Sequence, residues 1–167
     1  MTEFPEPTGE SADSAELFAR YLRFHRETVL RKLSSLPTDE LRRSRLPSGW
    51  TPLELLTHLT HMERRWFVWG FLGEQVPDPW GDDRDGRWHV PEEVTLDRLE
   101  DMLRAAADRT EAVLAEHPLD EVGRPGGRFD GEPPTLVWIC FHVLQEYARH
   151  AGHLDIVVEL AAGTVGE

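Results

Sequence analysis

Cysteine is nearly absent. Cys140 stands alone in 167 residues, which excludes an internal disulfide and a four-thiolate zinc site and fits a reducing cytoplasm. Lysine is as scarce: Lys32 is the single lysine among 18 basic residues, a bias that reads as the codon usage of a GC-rich genome rather than a property of the fold. No apolar run approaches the ~18 residues of a membrane span. The opening MTEFPEPTGE lacks the charged-then-apolar order of a signal peptide, so neither export nor membrane insertion is expected. Positive charge is outnumbered, 31 acidic against 18 basic residues, for a net charge of -13. With no Lys/Arg cluster to offset it, the chain would repel a phosphate backbone, and direct nucleic-acid binding is not expected. Alternating strand patterns and internal repeats are also missing.

What is present is helical periodicity. The chain is long enough for one core, so a single domain over residues 1–167 is expected, with residues 1–12 as a flexible tail. Asp13 followed by Glu16 opens a helix that carries Leu17, Phe18, Tyr21, Leu22, Val29 and Leu33 to about Ser35. Thr51-Pro52-Leu53-Glu54 supplies an N-cap, a proline at the first helical position and a glutamate at the third. A second helix therefore runs to about Leu72, where Gly73 stops it. Its Leu55, Met62 and Trp66 lie on one face and Leu56, Phe67 and Phe71 on the opposite one, so it is buried on two sides, within a bundle or at a subunit contact. A third helix covers about Thr95 to Glu116, and a fourth covers Thr135 to Leu160. Four helices around one core, an all-α four-helix bundle, is the economical architecture. The connection 74–94 is long enough to be functional or mobile. Its Trp80 and Trp88 either cap a pocket or pack the loop onto the bundle, while Asp82, Asp83 and Asp85 are assigned to solvation.

The fourth helix carries the chemistry. His142, Glu146, His150 and His153 fall at roughly 0°, 40°, 80° and 20° around it, so three imidazoles and a carboxylate share a stripe. Burying these groups unpaired would cost several kcal/mol. A divalent ion satisfies them, because neutral imidazole and carboxylate are ligands for zinc, nickel or iron, and ligands one turn apart reach a common ion. A solvated stripe or a hydrogen-bonded His/Glu network satisfies them as well. One helix normally supplies two neighbouring ligands. If the second and fourth helices face each other, His58 completes a site with Glu146 and His150, leaving positions open for water or substrate. His61, His142 and His153 remain possible partners around it. Arg149 is read as a salt-bridging residue, Asp155 as an anchor to a neighbouring helix, and Cys140 as a core side chain.

The second-helix pattern GWTPLELLTHL and the fourth-helix pattern HVLQEYARHAGHLD resemble the DinB/YfiT-like superfamily of four-helix-bundle metalloproteins, nearest its actinobacterial "mini-circle protein" branch. The same superfamily includes the N-terminal domain of mycothiol-dependent maleylpyruvate isomerase, whose metal site takes one His from the second helix and a Glu-x-x-x-His pair from the fourth. Carried over, those ligands fall on His58, Glu146 and His150. The resemblance implies a divalent metal ion, zinc first, and possible use of mycothiol with a small-molecule substrate. The isomerase has an additional C-terminal domain at its active site, and this sequence stops at Glu167, so that particular isomerisation is not expected.

Two functions follow. The first is a metal-dependent S-transferase that presents a small thiol of the mycothiol type to an electrophile, with a hydrolytic version needing a base such as His61 or His153. The second is a non-catalytic metal- or small-molecule-binding bundle. A homodimer through the outer apolar face of the second helix is expected.

Overall fold

A computed structural model describes residues 6–7 and 13–163. The expected tail falls mostly outside them; within them, Glu6 accepts a hydrogen bond from Tyr21 Oη at 3.0 Å. Four helices form the bundle: α1 (Ser14–Ser34), α2 (Pro52–Arg64), α3 (Leu96–Glu116) and α4 (Leu136–Ala162). The all-α four-helix bundle expected from periodicity is what the chain adopts.

Three of the four starts are marked by a capping side chain, while Thr135 at the head of α4 makes no such hydrogen bond. Asp13 accepts from Ala15 N at 2.9 Å and caps α1, and Thr95 accepts from Arg98 N at 3.2 Å and caps α3. At α2 the Thr51 hydroxyl accepts from Glu54 N at 3.3 Å, while the Glu54 carboxylate accepts from Thr51 N at 2.8 Å, a reciprocal capping box. The second helix does reach Phe71, but its last stretch, Arg65–Phe71, is π-helical. Gly73 then reverses the chain at φ +68°, a conformation L side chains rarely adopt.

Both apolar faces of the second helix are inside the bundle. Leu55 and Leu56, which point about 100° apart, are equally inaccessible at 0% exposure, and Phe67 and Phe71 follow at 0% and 1%. The face expected to carry a dimer contact is thus covered by this chain's own helices. Among the described residues, the large apolar side chains left exposed on α4 are Trp138, Phe141, Ile156 and Leu160.

One carboxylate ties the four helices together. Glu63 of α2, 0% exposed, receives Arg26 of α1 through Nε at 3.0 Å and Nη2 at 2.6 Å. Thr110 of α3 donates to it at 2.6 Å and Tyr147 of α4 at 2.5 Å. Burial, then the Glu63 charge, raises the Tyr147 pKa well above its ordinary value, so its hydroxyl stays a donor. A second, partly buried pair, Lys32 with Asp155, joins α1 to α4, the anchoring role expected of Asp155.

The connection after the second helix holds a two-residue-per-strand hairpin, β1 (Asp83–Arg84) and β2 (Arg87–Trp88), which no alternating pattern announced. Its turn, Asp85-Gly86, has φ of 57° and 75°. Positive φ at both central residues is the geometry that suits the twist of paired strands. No helix is long and apolar enough to cross a membrane among the described residues.

Candidate metal centre

The facing sides of α2 and α4 bring His58, Glu146 and His150 together. Among the described residues they form the one group of His, Cys, Asp and Glu whose candidate ligand atoms all lie within 4.8 Å of one another. His58 Nε2 is 3.8 Å from Glu146 Oε2. His150 Nε2 donates to that same oxygen at 3.0 Å, and the two imidazole rings meet edge to face at 5.1 Å. The i, i+4 spacing on α4 stacks Glu146 beneath His150, and the capping box at Thr51 sets where His58 falls, two turns into α2.

The residues present fit a cation. His58 Nδ1 donates to Asp82 Oδ2 at 2.9 Å, so in the neutral ring the other nitrogen carries the lone pair. That atom, Nε2, is buried without a hydrogen-bond partner and faces Glu146. A ring nitrogen held in this tautomer by a carboxylate behind it is the arrangement that orients metal-binding histidines. Neutral imidazole, neutral imidazole and carboxylate form a donor set suited to zinc, nickel or iron.

Asp82, assigned to solvation from sequence, is instead 2% exposed and sits behind His58. Arg65 neutralises it, with Nη1 against Oδ1 and Nη2 donating to Oδ2 at 2.9 Å, while Nη1 also donates to Pro79 O at 2.9 Å. Burial opposes ionisation of Asp82, but hydrogen bonds from His58 and Arg65 prevail and hold its pKa at about 2. No spacing rule connects residue 82 to residue 58, so nothing in the sequence flagged it. The one local signal nearby is the Asp85-Gly86 turn of the hairpin that begins just after it.

Charge is shared unequally among the three side chains. The hydrogen bond from His150 and the facing His58 ring, then Arg149, hold the Glu146 carboxyl far below its usual range despite partial burial. Burial works against a charged His58, yet Asp82 and Glu146 outweigh it and raise its pKa. For His150, burial wins over Glu146, and the neighbouring His58 also lowers its pKa. Both rings touch one carboxylate; only the ring with a second carboxylate behind it favours the proton.

The remaining candidates fall into place around this core. His153 Nδ1 is 3.4 Å from His150 Nδ1. His142 Nε2 is 3.9 Å from Glu146 Oε1, its ring stacked on Trp138 at 5.4 Å and lying 4.1 Å from Trp66. His61 is drawn away to Arg64, whose Nη2 lies 3.3 Å from its Nδ1. Arg149 donates to both oxygens of Glu146 at 3.0 and 2.9 Å, the salt-bridging role expected of it. Of the loop tryptophans, Trp88 stacks on His58 at 4.5 Å and meets His150 edge-on at 5.1 Å. Trp80 packs on Arg65 and Trp69, and Trp50 stands beside Trp88 and His153. Cys140 is buried among apolar side chains, and burial pushes its thiol up to about 12, which suits core packing rather than nucleophilic attack.

Bundle and cluster together define a DinB/YfiT-like helical protein with a His/Glu/His constellation between its second and fourth helices. The chain belongs to the mycothiol S-transferase family, whose model, described as mycothiol-S-transferase, matches residues 17–163. No curated protein matches it significantly in sequence. Among solved structures, the chain is similar to a conserved protein of locus from Enterococcus faecalis, with a TM-score of 0.61 and 16% identity, covering 92% of this chain and 100% of that one. At that identity the likeness concerns the fold alone.

Proposed function

We propose that this protein is a divalent-metal-dependent S-transferase acting with a small thiol of the mycothiol type, its ion held by His58, Glu146 and His150. The observation that carries the reading is the buried, unpartnered Nε2 of His58, aimed at Glu146 and backed by Asp82. Family membership supplies the thiol. Zinc is the first choice for the ion, with nickel or iron as alternatives on the same donor set.

When bound, a divalent ion supplies Lewis acidity, lowering the pKa of a thiol in an open coordination position so that it reacts as thiolate. The chain's own residues prepare for this. Asp82 holds the proton of His58 on Nδ1 and leaves Nε2 as a donor. Were an ion to replace the proton that His150 Nε2 directs at Glu146, the His150 proton would sit on Nδ1, where His153 Nδ1 lies 3.4 Å away as an acceptor. Glu146 contributes the single negative charge among the three groups, so two units of positive charge would be half-neutralised and the centre would keep its attraction for a thiolate. Trp88 covers both imidazoles from the hairpin side and excludes water there.

Elemental analysis of protein purified without a chelating tag tests the metal. Stoichiometric metal is expected, and it should disappear in His58→Ala and in His150→Ala; retention in both variants refutes the ligand set. Cobalt substitution tests the thiol: a sulfur-to-metal charge-transfer band should grow on thiol addition. The homodimer is part of the same proposal, and with α2 enclosed it would have to use the exposed Trp138, Phe141 and Ile156 of α4. A clean monomer by light scattering at micromolar concentration rejects it.

A further inference from the structure

Beside the candidate centre lies a cation that has no counter-charge among the described residues. Arg128 is half-buried and is stacked on two tryptophans, its guanidinium carbon 4.2 Å from the centre of the Trp66 ring and 5.3 Å from that of Trp80. Its Nη1 is buried with no hydrogen-bond partner, and among the described residues no carboxylate pairs with it. The neighbouring Arg65 shows what is missing. It presses on the same Trp80 at 4.5 Å, but Asp82 neutralises it. Both burial and the Arg65 charge depress the Arg128 pKa, so its environment penalises a charge that nothing nearby balances.

The side chain is nevertheless held in position. Arg128 N donates to Trp69 O at 3.2 Å, the carbonyl of the π-helical segment against which Gly127 also packs. The guanidinium is therefore anchored at both ends, by its backbone and by two aromatic faces. Trp66, one of those faces, lies 4.1 Å from His142, whose Nε2 is 3.9 Å from Glu146 Oε1. Two side chains separate the unpaired cation from a proposed metal ligand. Trp80, the other face, is 49% exposed, so the cage is walled on that side by a ring with room to swing.

We propose that Arg128, caged by Trp66 and Trp80, binds a carboxylate group of the molecule that reacts at the neighbouring centre. A planar guanidinium edge offers paired N–H donors matched to a planar carboxylate, and the aromatic walls suit the carbon skeleton that carries it. That the bound molecule is a co-substrate rests on the S-transferase reading; that Arg128 binds a carboxylate does not.

The test separates the two. Succinate is titrated into the protein while the indole N–H resonances of Trp66 and Trp80 are followed. Saturable shifts are expected in wild type and in His58→Ala, and the dissociation constant should rise about ten- to hundred-fold in Arg128→Met, which keeps the stem on Trp66 and loses the charge-assisted bonds. Arg128→Lys should recover only part of that loss. An unchanged constant in Arg128→Met, with the far-ultraviolet dichroism of wild type, overturns the proposal, as does inorganic phosphate binding as tightly as succinate. If succinate binds through Arg128 but no thiol is transferred to carboxylate-bearing electrophiles, the S-transferase reading fails and the anion site stands.

Discussion

Asp82 decides more than its position in a loop suggests. It fixes the tautomer of His58 and it balances Arg65, itself 4% exposed. The two duties predict different outcomes for two substitutions. Asp82→Asn keeps an acceptor for His58 Nδ1 but loses the charge, and metal affinity measured by chelator competition should fall about 10- to 100-fold. Asp82→Ala strands the Arg65 guanidinium, and urea unfolding should show a further loss of about 3–5 kcal/mol. A wild-type metal affinity in both variants would remove Asp82 from the centre. His58, Glu146 and His150 were legible as a candidate set because helical spacing and a family pattern converge on them. Asp82 was not, because its role arises only when a loop folds across a helix 24 residues earlier.

Elements announced by local chemistry were read closely. The Thr51–Glu54 capping box, Thr95 and the glycine at 73 set their boundaries through hydrogen bonds and backbone freedom available within a few residues. Thr51→Ala should accordingly lower stability by about 1 kcal/mol in a denaturant midpoint, with the metal content unchanged. The π-helical stretch at Arg65–Phe71 has no such local mark. Its widened turns leave carbonyls for the distant segment at residues 124–128: Phe71 O accepts Arg124 N at 2.7 Å and Trp69 O accepts Arg128 N at 3.2 Å. Those are tertiary bonds, invisible to periodicity. Gly127 makes the approach possible, since a Cβ there would lie 1.9 Å from Trp69 O. Gly127→Ala should push the segment off the π-helical turns, with thermal unfolding reporting a loss of about 1–3 kcal/mol. Wild-type stability in that variant would show that the segment yields freely.

At the level of the whole molecule, protons and the proposed metal ion would compete for the same imidazoles. Burial is the leading cause that lowers the pKa of His25, His61, His142 and His150, whereas His58 alone among the shifted histidines is raised. For the four lowered histidines the unfolded chain takes up protons first. Their effect is to remove stability as pH falls below the ordinary histidine value of 6.5 toward their folded values. His58 works oppositely: its contribution is present below 6.5 and is lost as pH rises through its raised value. Four against one, metal-free protein should unfold at lower urea concentration at pH 5.5 than at pH 7.5. Added zinc should widen the gap, because acid also displaces the ion from its ligands. A midpoint that does not move between those pH values would mean that the buried histidines are not held neutral.

The carboxylate of Glu63 is divided among Arg26, Thr110 and Tyr147, so every helix holds one share of a single charge. A fragment that lacks any one of the other three helices leaves that buried charge short of a donor. During synthesis the first three helices can associate only provisionally, since the hydroxyl that completes the quartet belongs to the last one made. A bisected version, cut in the 118–134 connection, should yield two pieces that are disordered apart and recover a fold only when mixed.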